Sequence, residues 1–342
     1  MQSSNRRSLI ISILVLVAVG TIVLTRGAWK QWLEPEVPKR YKIGILIHNP
    51  PVHNANIEGL KAGLLKLGYE EGKNVEYILK NANADLSLVD KLADELVLLQ
   101  PDIIVTPSTP GAFSLKQKTA SIPIVFLDVG TIAGLVQNTK APEANFTGVI
   151  GGTSEFAGKR LEILKEIDAT IKKVIVSPDT KFPSYSLFMS SLKDAADKLG
   201  IEVVEMPTEN AKDFVTKLPA IINKKNGDAF IYFPGPNNFP ISKDDQNAII
   251  GQLIKEKIPS INHVMELGAN NGVFISYGIY RFEIGMQAAI LVNEILKGKP
   301  ILSLPVEFAK DLLLEINLDT AKSIGLNISQ STISRANKIY NQ

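Results

Sequence analysis

Hydroxyl-bearing side chains lie in a loop of the first half of the chain, where they could bind an anion. Residues 106–112 contain Pro, Ser, Thr and Gly and follow a short apolar run at 102–105. A helical pattern at 112–119 comes next. Ser108 and Thr109 are good N-cap residues, and backbone N–H groups at a helix start can hold a carboxylate. The loop is therefore a candidate ligand site, although the same side chains could serve only as a helix cap.

Motifs for catalysis are missing from the sequence. There is no Gly-x-Ser-x-Gly elbow, no Gly-rich loop ending in Lys-Ser/Thr and no G-x-G-x-x-G turn, the patterns typical of α/β-hydrolases, NTPases and dinucleotide enzymes. The histidines His48, His53 and His263 show no metal-binding spacing with carboxylates. A chain without cysteine has no thiolate nucleophile or ligand. We therefore expect no enzyme activity, no metal and no cofactor.

Titratable side chains near predicted strand ends leave some alternatives open. His48 and His53 share the loop after the first predicted strand, where exposure to solvent is the favoured interpretation and ligand contact the alternative. Asp128, Asp179 and Glu266 lie at or near strand ends. Carboxylates far apart in sequence can still lie close together in the fold and act as an acid and a base. An enzyme that uses such carboxylates therefore remains an alternative.

Aromatic and polar side chains occur together in loops that follow several predicted strands. They are Phe182, Ser184, Tyr185, Phe233, Asn237, Asn238, Phe239 and Tyr277. Such a mixture suits a small-molecule cleft. Phe233 and Tyr277 could equally be core residues, because both follow apolar runs, and the two asparagines could form a turn.

The same order of local signals occurs twice along the chain at nearly constant separation. The matching pairs are 43–47 with 174–176, Leu67-Gly68 with Leu199-Gly200, 102–105 with 228–233, and Ile122-Pro123 with Ile258-Pro259. This repeat predicts an α/β fold of two similar, doubly wound lobes with mainly parallel sheets and helices on both faces. Two such lobes would enclose a cleft.

The predicted division of the chain gives three parts. A signal-anchor segment and tether occupy 1–40, the first lobe 41–150 plus 272–304, and the second lobe 151–271 plus 305–342. Later elements predict several crossovers between the lobes and hence a hinge. They are a strand at 273–276, a helix at 282–296, extended pieces at 305–308 and 312–316, a helix at 319–324 and a polar C-terminal helix ending near Tyr340.

The N-terminal segment predicts export. Arg6 and Arg7 precede a charge-free apolar run over residues 9–25, which is about the shortest that spans a bilayer core. Ala18 and Gly20 would suit a signal peptidase, but the apolar run continues beyond them, so we favour an uncleaved anchor. We therefore expect an extracytoplasmic protein held at the membrane by this segment.

The charge balance argues against a nucleic-acid partner. The formal net charge is +2, and the basic residues of 1–40 account for it. The remainder is close to neutral, whereas a nucleic-acid-binding surface would show a basic patch or stripe.

Motifs spread over the chain after Tyr41 resemble one family. They are LGYEEGKNV (67–75), PDIIVTPSTPGA (101–112), IPIVF (122–126), AGLV (133–136), NFTGV (145–149), YGIYRFEIG (277–285), LPVEF (304–308) and LEINLDTAKSIGLNIS (314–329). In order and spacing they resemble the extracytoplasmic substrate-binding proteins of ABC transporters, a family that includes tryptophan- and tyrosine-binding members. The resemblance implies the periplasmic-binding-protein fold, a small-molecule ligand, and an ABC permease with its ATPase as partner.

Positions that match the family's motifs suggest where a ligand would bind. Ser108 and Thr109 match its ligand loop, Asn237 matches a polar loop after a second-lobe strand, and Tyr277 and Gly278 match a crossover segment. The full set of predicted ligand-binding residues is Ser108, Thr109, Gly111, Asp128, Gly130, Thr131, Ser184, Tyr185, Asn237, Tyr277 and Gly278.

Two departures from the family's pattern bear on the ligand. The family usually has Asp-Pro shortly before AGLV, where this chain has VGTI (129–132), and often Asp at the position of Pro236. An acidic partner for an ammonium group is therefore missing at these places. We expect a small aromatic or planar ligand that is neutral or anionic, with an acid supplied by Asp128, Asp179 or Glu266 as the alternative.

The predicted function is a solute-binding protein that closes on its ligand and delivers it to an ABC permease. A module that hands its liganded form to a signalling receptor is the alternative from another class. An enzyme that uses cleft carboxylates is a third.

Overall fold

Strands and helices alternate along the chain in a computed structural model of the protein. The described residues are 39–129, 132, 134–142, 144–182, 184–238, 242–310 and 312–341. The strands are β1 (Tyr41–Ile47), β2 (Val75–Asn81), β3 (Ile103–Thr106), β4 (Ile124–Leu127), β5 (Phe146–Ile150), β6 (Lys173–Val176), β7 (Glu202–Glu205), β8 (Ala229–Ile231), β9 (Ser260–Val264), β10 (Ile275–Ile279), β11 (Glu307–Phe308), β12 (Leu313–Asn317) and β13 (Lys338–Tyr340). The α-helices are α1 (Pro50–Lys66), α2 (Val89–Leu98), α3 (Thr109–Lys118), α4 (Ala157–Ile167), α5 (Tyr185–Leu199), α6 (Ala211–Thr216), α7 (Leu218–Ile221), α8 (Lys243–Lys255), α9 (Arg281–Leu296), α10 (Leu318–Ser323) and α11 (Gln330–Arg335).

The strands form two sheets, which define a first and a second lobe. The first sheet has six strands in the order β11-β5-β4-β3-β1-β2, and every neighbouring pair is parallel. The second has seven strands in the order β13-β12-β10-β9-β8-β6-β7. Its β12 runs antiparallel to β10, and its other pairs are parallel. The predicted α/β class with two mainly parallel lobes is confirmed.

The predicted repeat appears in the strand order. The run β2-β1-β3-β4-β5 of the first sheet has its equivalent in β7-β6-β8-β9-β10 of the second. One side-chain contact is repeated as well: the carboxylate of Asp102, before β3, accepts the backbone N–H of Lys42 at 2.7 Å. The carboxylate of Asp228, before β8, accepts that of Lys173 at 3.0 Å. Each bond ties the start of a third strand to the start of the first.

Helices cover both faces of each sheet, because the strands are apolar on both sides. In β1, Ile43, Ile45 and Ile47 pack towards α1 and α9, whereas Leu46 packs towards α2 and α3. In the second lobe, α4 and α5 cover one face and α6, α7 and α8 the other. The core therefore consists of four apolar layers, two for each lobe.

Helices α1 and α9 cross closely enough to require glycine. A Cβ on Gly59 would lie 1.9 Å from the carbonyl oxygen of Phe282, and one on Gly285 would lie 2.0 Å from that of Asn56. Both helices begin at the edge of the sheet where the strands end. Their close crossing fixes the positions of the side chains in their first turns.

The predicted lobe boundaries place two strands, β10 and β11, in the wrong lobe. The predicted first lobe includes 272–304, but β10 pairs with β9 and β12 of the second sheet. The predicted second lobe includes 305–342, but β11 pairs with β5 of the first sheet. The reason is that β10 is the fifth strand of the second repeat and completes the second sheet, so the chain crosses to the first lobe only after β10. The chain also crosses between the lobes after β5 and after β11.

The C-terminal end also differs from its prediction. The polar helix expected to end near Tyr340 ends at Arg335, and Lys338–Tyr340 forms β13 beside β12. Ile339 packs against the core of the second lobe there.

The membrane segment predicted at residues 9–25 lies outside the described residues. In the part of the chain that is described, no helix is both long enough and apolar enough to cross a bilayer.

Candidate functional site

A cavity lies between the lobes, where the strands of both sheets end. The first lobe contributes His48, Asn49, Val52, His53, Ser108, Thr109, Pro110 and Asp128. The remaining lining residues are Thr153 in the crossover after β5, Phe182, Pro234 and His263 of the second lobe, and Arg281 at the start of α9. Ligands of open α/β sheets bind at this edge. The cavity volume of about 60 Å³ is room for a few water molecules.

The hydroxyl loop is built as the sequence predicts, with one residue as the cap. Ser108 is the N-cap of α3, and its Oγ accepts the backbone N–H of Gly111 at 3.2 Å. Thr109 is buried beside it and also lines the cavity. Gly111 lies beneath the cap, where a Cβ would be 2.3 Å from Oγ1 of Thr106. Ser108 therefore has a structural role in addition to its place in the lining.

An ion-pair network forms one wall of the cavity. Arg281 donates from Nε to the Asp128 carboxylate at 2.8 Å, and both side chains are only 7% exposed. The backbone N–H of Arg281 donates to Glu266 at 2.7 Å, and its Nη1 lies 3.4 Å from the other oxygen of that carboxylate. Because Asp128 follows β4 and Glu266 follows β9, Arg281 connects the two lobes.

Asp128 is held in a restricted position. Its φ of 49° is in the left-handed region, which aspartate tolerates better than most residues. A Cβ on Gly151 would lie 2.1 Å from Oδ1 of Asp128, so only glycine fits there. Burial raises the pKa of Asp128, and the positive charge of Arg281 opposes that rise. The carboxylate is thus already committed to an arginine.

A second buried arginine joins two of the crossover segments. Arg160 of α4 is 1% exposed. It donates from Nε to the carbonyl of Tyr277 at 3.0 Å and from Nη1 to that of Thr153 at 2.5 Å. Burial lowers the pKa of Arg160 to about 9, so the guanidinium stays charged at neutral pH. Arg160 therefore holds the segment after β5 against β10.

The three histidines meet at the cavity, although the sequence separates them widely. His48 is 7% and His263 6% exposed, so the favoured expectation that His48 faces solvent is wrong. Burial is the main cause that lowers the pKa of His48 and holds the pKa values of His53 and His263 well below the usual range. The positive charge of Arg281 lowers the pKa of His53 and His263 further. All three imidazoles are therefore neutral at pH 7.

Phe182 supplies an aromatic surface from the second lobe. Its ring lies edge-on to that of Phe233, with centroids 6.0 Å apart. Phe233 itself is fully buried and also packs against Phe188 at 5.1 Å. Of the two interpretations of Phe233, the core position is confirmed.

Other residues predicted to bind ligand lie away from the main cavity. Asn237 is buried and donates to the carbonyl of Thr208. The hydroxyl of Tyr185 donates to Glu205 at 2.8 Å. Ser184 precedes α5 as a buried N-cap residue without a side-chain cap bond. These positions support the second lobe and are not part of the described cavity wall.

Tyr277 and Gly278, which match the family's crossover segment, are not part of the lining of the main cavity. Tyr277 packs against the second lobe's core, and Gly278 lines a smaller cavity that also contacts Asp128, Arg160 and Arg281. A Cβ on Gly278 would lie 2.3 Å from the carbonyl oxygen of His263. Gly130 and Thr131 lie outside the described residues.

Sequence reasoning missed Arg281, Thr153 and Pro234. Arg281 offered a signal, since it is a charged residue directly after an apolar strand and at a helix start. Thr153 and Pro234 carry no pattern that separates them from ordinary loop residues. Within the described ranges, no group of three His, Asp or Glu side chains could hold a metal ion.

Comparison with known proteins gives a consistent result. The family model for the ABC transporter substrate binding protein matches residues 42–340. A protein named Tyrosine-binding protein from Clostridioides difficile (strain R20291) is 28% identical over 331 residues, which are 93% of this chain and 92% of that protein.

Two solved structures share the fold over most of the chain. A conserved domain protein from Vibrio cholerae has a TM-score of 0.81 and 29% identity, with 88% of this chain and 100% of that one covered. An ABC domain from Streptococcus pneumoniae in complex with L-Trp has a TM-score of 0.77 and 21% identity, with the same coverage. The family match over residues 42–340 confirms the resemblance seen in the motifs, and the chain belongs to the ABC transporter substrate-binding protein family.

Proposed function

We propose that this protein binds a small aromatic or planar solute between its lobes and delivers it to an ABC permease with its ATPase. The observation that carries the proposal is a cavity lined from both lobes at the strand ends, with Phe182 on one side and the hydroxyl loop on the other. A relative in sequence that is named for tyrosine and a protein of the same fold that was solved with L-Trp support an aromatic ligand.

The charges around the cavity favour a neutral or anionic ligand. Asp128 lies in the wall, but its carboxylate is paired with Arg281 at 2.8 Å. Burying an ammonium group without a charged partner of its own would cost several kcal/mol. The start of α3 would instead suit a carboxylate, because backbone N–H groups at a helix start favour an anion. The ligand is therefore an aromatic acid or a neutral planar compound rather than a free amino acid.

The size of the cavity requires movement on binding. A volume of about 60 Å³ is too small for an aromatic solute. In the described parts of the chain, the crossover segments after β5, β10 and β11 join the lobes covalently, and motion about them would open the cleft. Binding followed by closure is the behaviour that a permease can distinguish from the empty form.

A thermal-shift screen tests the ligand class. The panel contains aromatic amino acids, their deaminated analogues and purine-like compounds. At about 100 times its dissociation constant, a ligand stabilises the protein by roughly 2.7 kcal/mol, which is a shift of a few degrees at this size. Deaminated or neutral compounds should give the larger shifts. Binding of the amino acids alone would contradict the proposed charge, and no shift with any compound would contradict the ligand class.

Thr109 is expected to contact the ligand. Thr109→Ala should weaken binding of the best panel compound by about 1–2 kcal/mol, because one hydrogen bond is lost. Thr109→Ser keeps the hydroxyl and should bind like the wild-type protein. Ser108→Ala is the control for the helix cap and should lower stability by about 1 kcal/mol. Unchanged affinity in Thr109→Ala with a lowered melting temperature would assign Thr109 a purely structural role.

The N-terminal segment is proposed to hold the protein at the outer face of the membrane. The proposal is supported by the charge-free apolar run over residues 9–25, which continues past Gly20. Intact mass of protein extracted from the membrane fraction should correspond to a chain that still contains this run. A mature chain that starts at Thr21 would show a cleaved and freely soluble protein.

A further inference from the structure

Two imidazole nitrogens of residues that line the cavity have no hydrogen-bond partner among the residues described. They are Nε2 of His48 and Nδ1 of His53, and both atoms are buried. His48 follows β1 and His53 lies in the first turn of α1, so both belong to the first lobe. Buried polar atoms are normally paired, and leaving one unpaired is energetically costly. A ligand group that pairs with these atoms would remove that cost.

The hydrogen bonding of His48 defines which nitrogen carries its proton. The backbone of Ala84 raises the pKa of His48, which is the effect of a hydrogen-bond acceptor close to the ring, so the ring nitrogen that faces it is the donor. Because Nε2 has no partner in the described structure, the donor is Nδ1. A neutral imidazole has one N–H and one lone pair. Nε2 of His48 therefore carries an unpaired lone pair within a residue that lines the cavity.

We propose that His48 is the specificity-determining residue of the cavity and that its Nε2 accepts a hydrogen bond from an O–H or N–H group of the ligand. The inference rests on the proposed function and narrows the ligand class to aromatic compounds with a phenolic O–H or a ring N–H. His53 supplies a second hydrogen-bonding position on the same wall. Specificity then comes from the neutral imidazoles of the first lobe, and Phe182 holds the ring from the second.

The charged and titratable groups around His48 determine the effect of pH. Asp85 favours the protonated ring, whereas burial, the larger effect, disfavours it. The cavity wall adds His53 and His263, which are neutral, and the Asp128–Arg281 pair, whose charges oppose each other. Protonation of His48 would occur at Nε2 and use its lone pair, so that this atom could no longer accept a hydrogen bond. Binding of an O–H donor should therefore weaken as the pH falls through the pKa of His48.

The test uses two pairs of probes that differ by one hydroxyl: 4-hydroxyphenylacetate with phenylacetate, and L-tyrosine with L-phenylalanine. Calorimetry on the wild-type protein should show about tenfold or tighter binding of the hydroxylated member of the pair that binds. His48→Leu should remove this preference. His48→Gln places an amide oxygen near the Nε2 position and should keep it. As the pH falls below about 6.5, affinity for the hydroxylated probe should fall in the wild-type protein but not in His48→Gln, because the pKa of His48 lies below the ordinary histidine value.

The outcomes separate the inference from the proposed function. Equal binding of both members of a pair by the wild-type protein would overturn the role of His48 but leave the proposed function standing. An unchanged preference in His48→Leu would do the same. If His48→Leu does not fold, the probe pairs and the pH comparison with His48→Gln still decide. Failure of every probe to bind would overturn the proposed ligand class and, with it, this inference.

Discussion

Replacing Arg281 by methionine is expected to destabilise the folded protein by about 3–5 kcal/mol, because it leaves Asp128 as a buried charge without its partner. The Asp128 carboxylate is 7% exposed and lies 2.8 Å from the guanidinium. The substitution also removes the Nη1 contact with Glu266 at 3.4 Å, whereas the backbone N–H of residue 281 can still donate to that carboxylate. Denaturant unfolding measures the loss. A change of less than about 1 kcal/mol in the free energy of unfolding would contradict this expectation, because it is the size expected for a solvent-exposed ion pair.

The pH dependence of that loss follows from the pKa of Asp128. Burial already raises this pKa, and without Arg281 it should rise further. A carboxyl group with a raised folded-state pKa contributes stability at low pH, which is lost as the pH rises through that pKa. The deficit of Arg281→Met should therefore shrink on acidification from about pH 7 to 5.

A double substitution is the matched control. Asp128→Asn in the Arg281→Met background removes the unpaired charge and keeps a side chain of similar size. The double variant should be more stable than Arg281→Met alone, with a coupling of about 0.5–3 kcal/mol. Additive losses at the two sites would contradict the ion pair.

Replacing Phe233 by alanine is expected to cost about 3–5 kcal/mol of stability and to weaken ligand binding. The ring is fully buried and contacts the rings of Phe182 and Phe188. Its loss leaves a cavity directly behind Phe182, the aromatic residue of the cavity wall. Unfolding experiments and a thermal-shift titration with the best panel compound measure the two effects.

Phe188→Ala separates these two effects. Phe188 is as buried as Phe233 and belongs to the same core cluster, but it is not among the described residues of the cavity wall. The two variants should lose similar stability, and only Phe233→Ala should lose affinity. Equal loss of affinity in both would show that general loosening of the second lobe, rather than support of Phe182, is responsible.

The repeat in the sequence was sufficient to predict the fold. Asp102 and Asp228, or Gly68 and Gly200, recur because each lobe needs the same strand starts and helix ends. The lobe boundaries were harder, since β10 and α9 are adjacent in sequence but belong to different lobes. Hydrophobic periodicity predicts that a strand is buried, but not in which of two similar sheets.

The site was predictable only where local sequence determines it. Ser108 and Thr109 follow a strand and begin a helix, so their place in the cavity wall could be inferred. His48 is buried although it follows β1 in a predicted loop, and His53 lies in the first turn of α1 rather than in that loop. That burial depends on tertiary contacts that no local pattern records.

Mass spectrometry of small molecules retained by gently purified protein tests the central claim most directly. The lobes should retain one small aromatic or planar compound with an O–H or N–H donor, released on unfolding, in the wild-type protein. Phe233→Ala should retain less of it. Retention of a sugar or an aliphatic compound instead would contradict the proposed ligand and the roles given to Phe182 and His48.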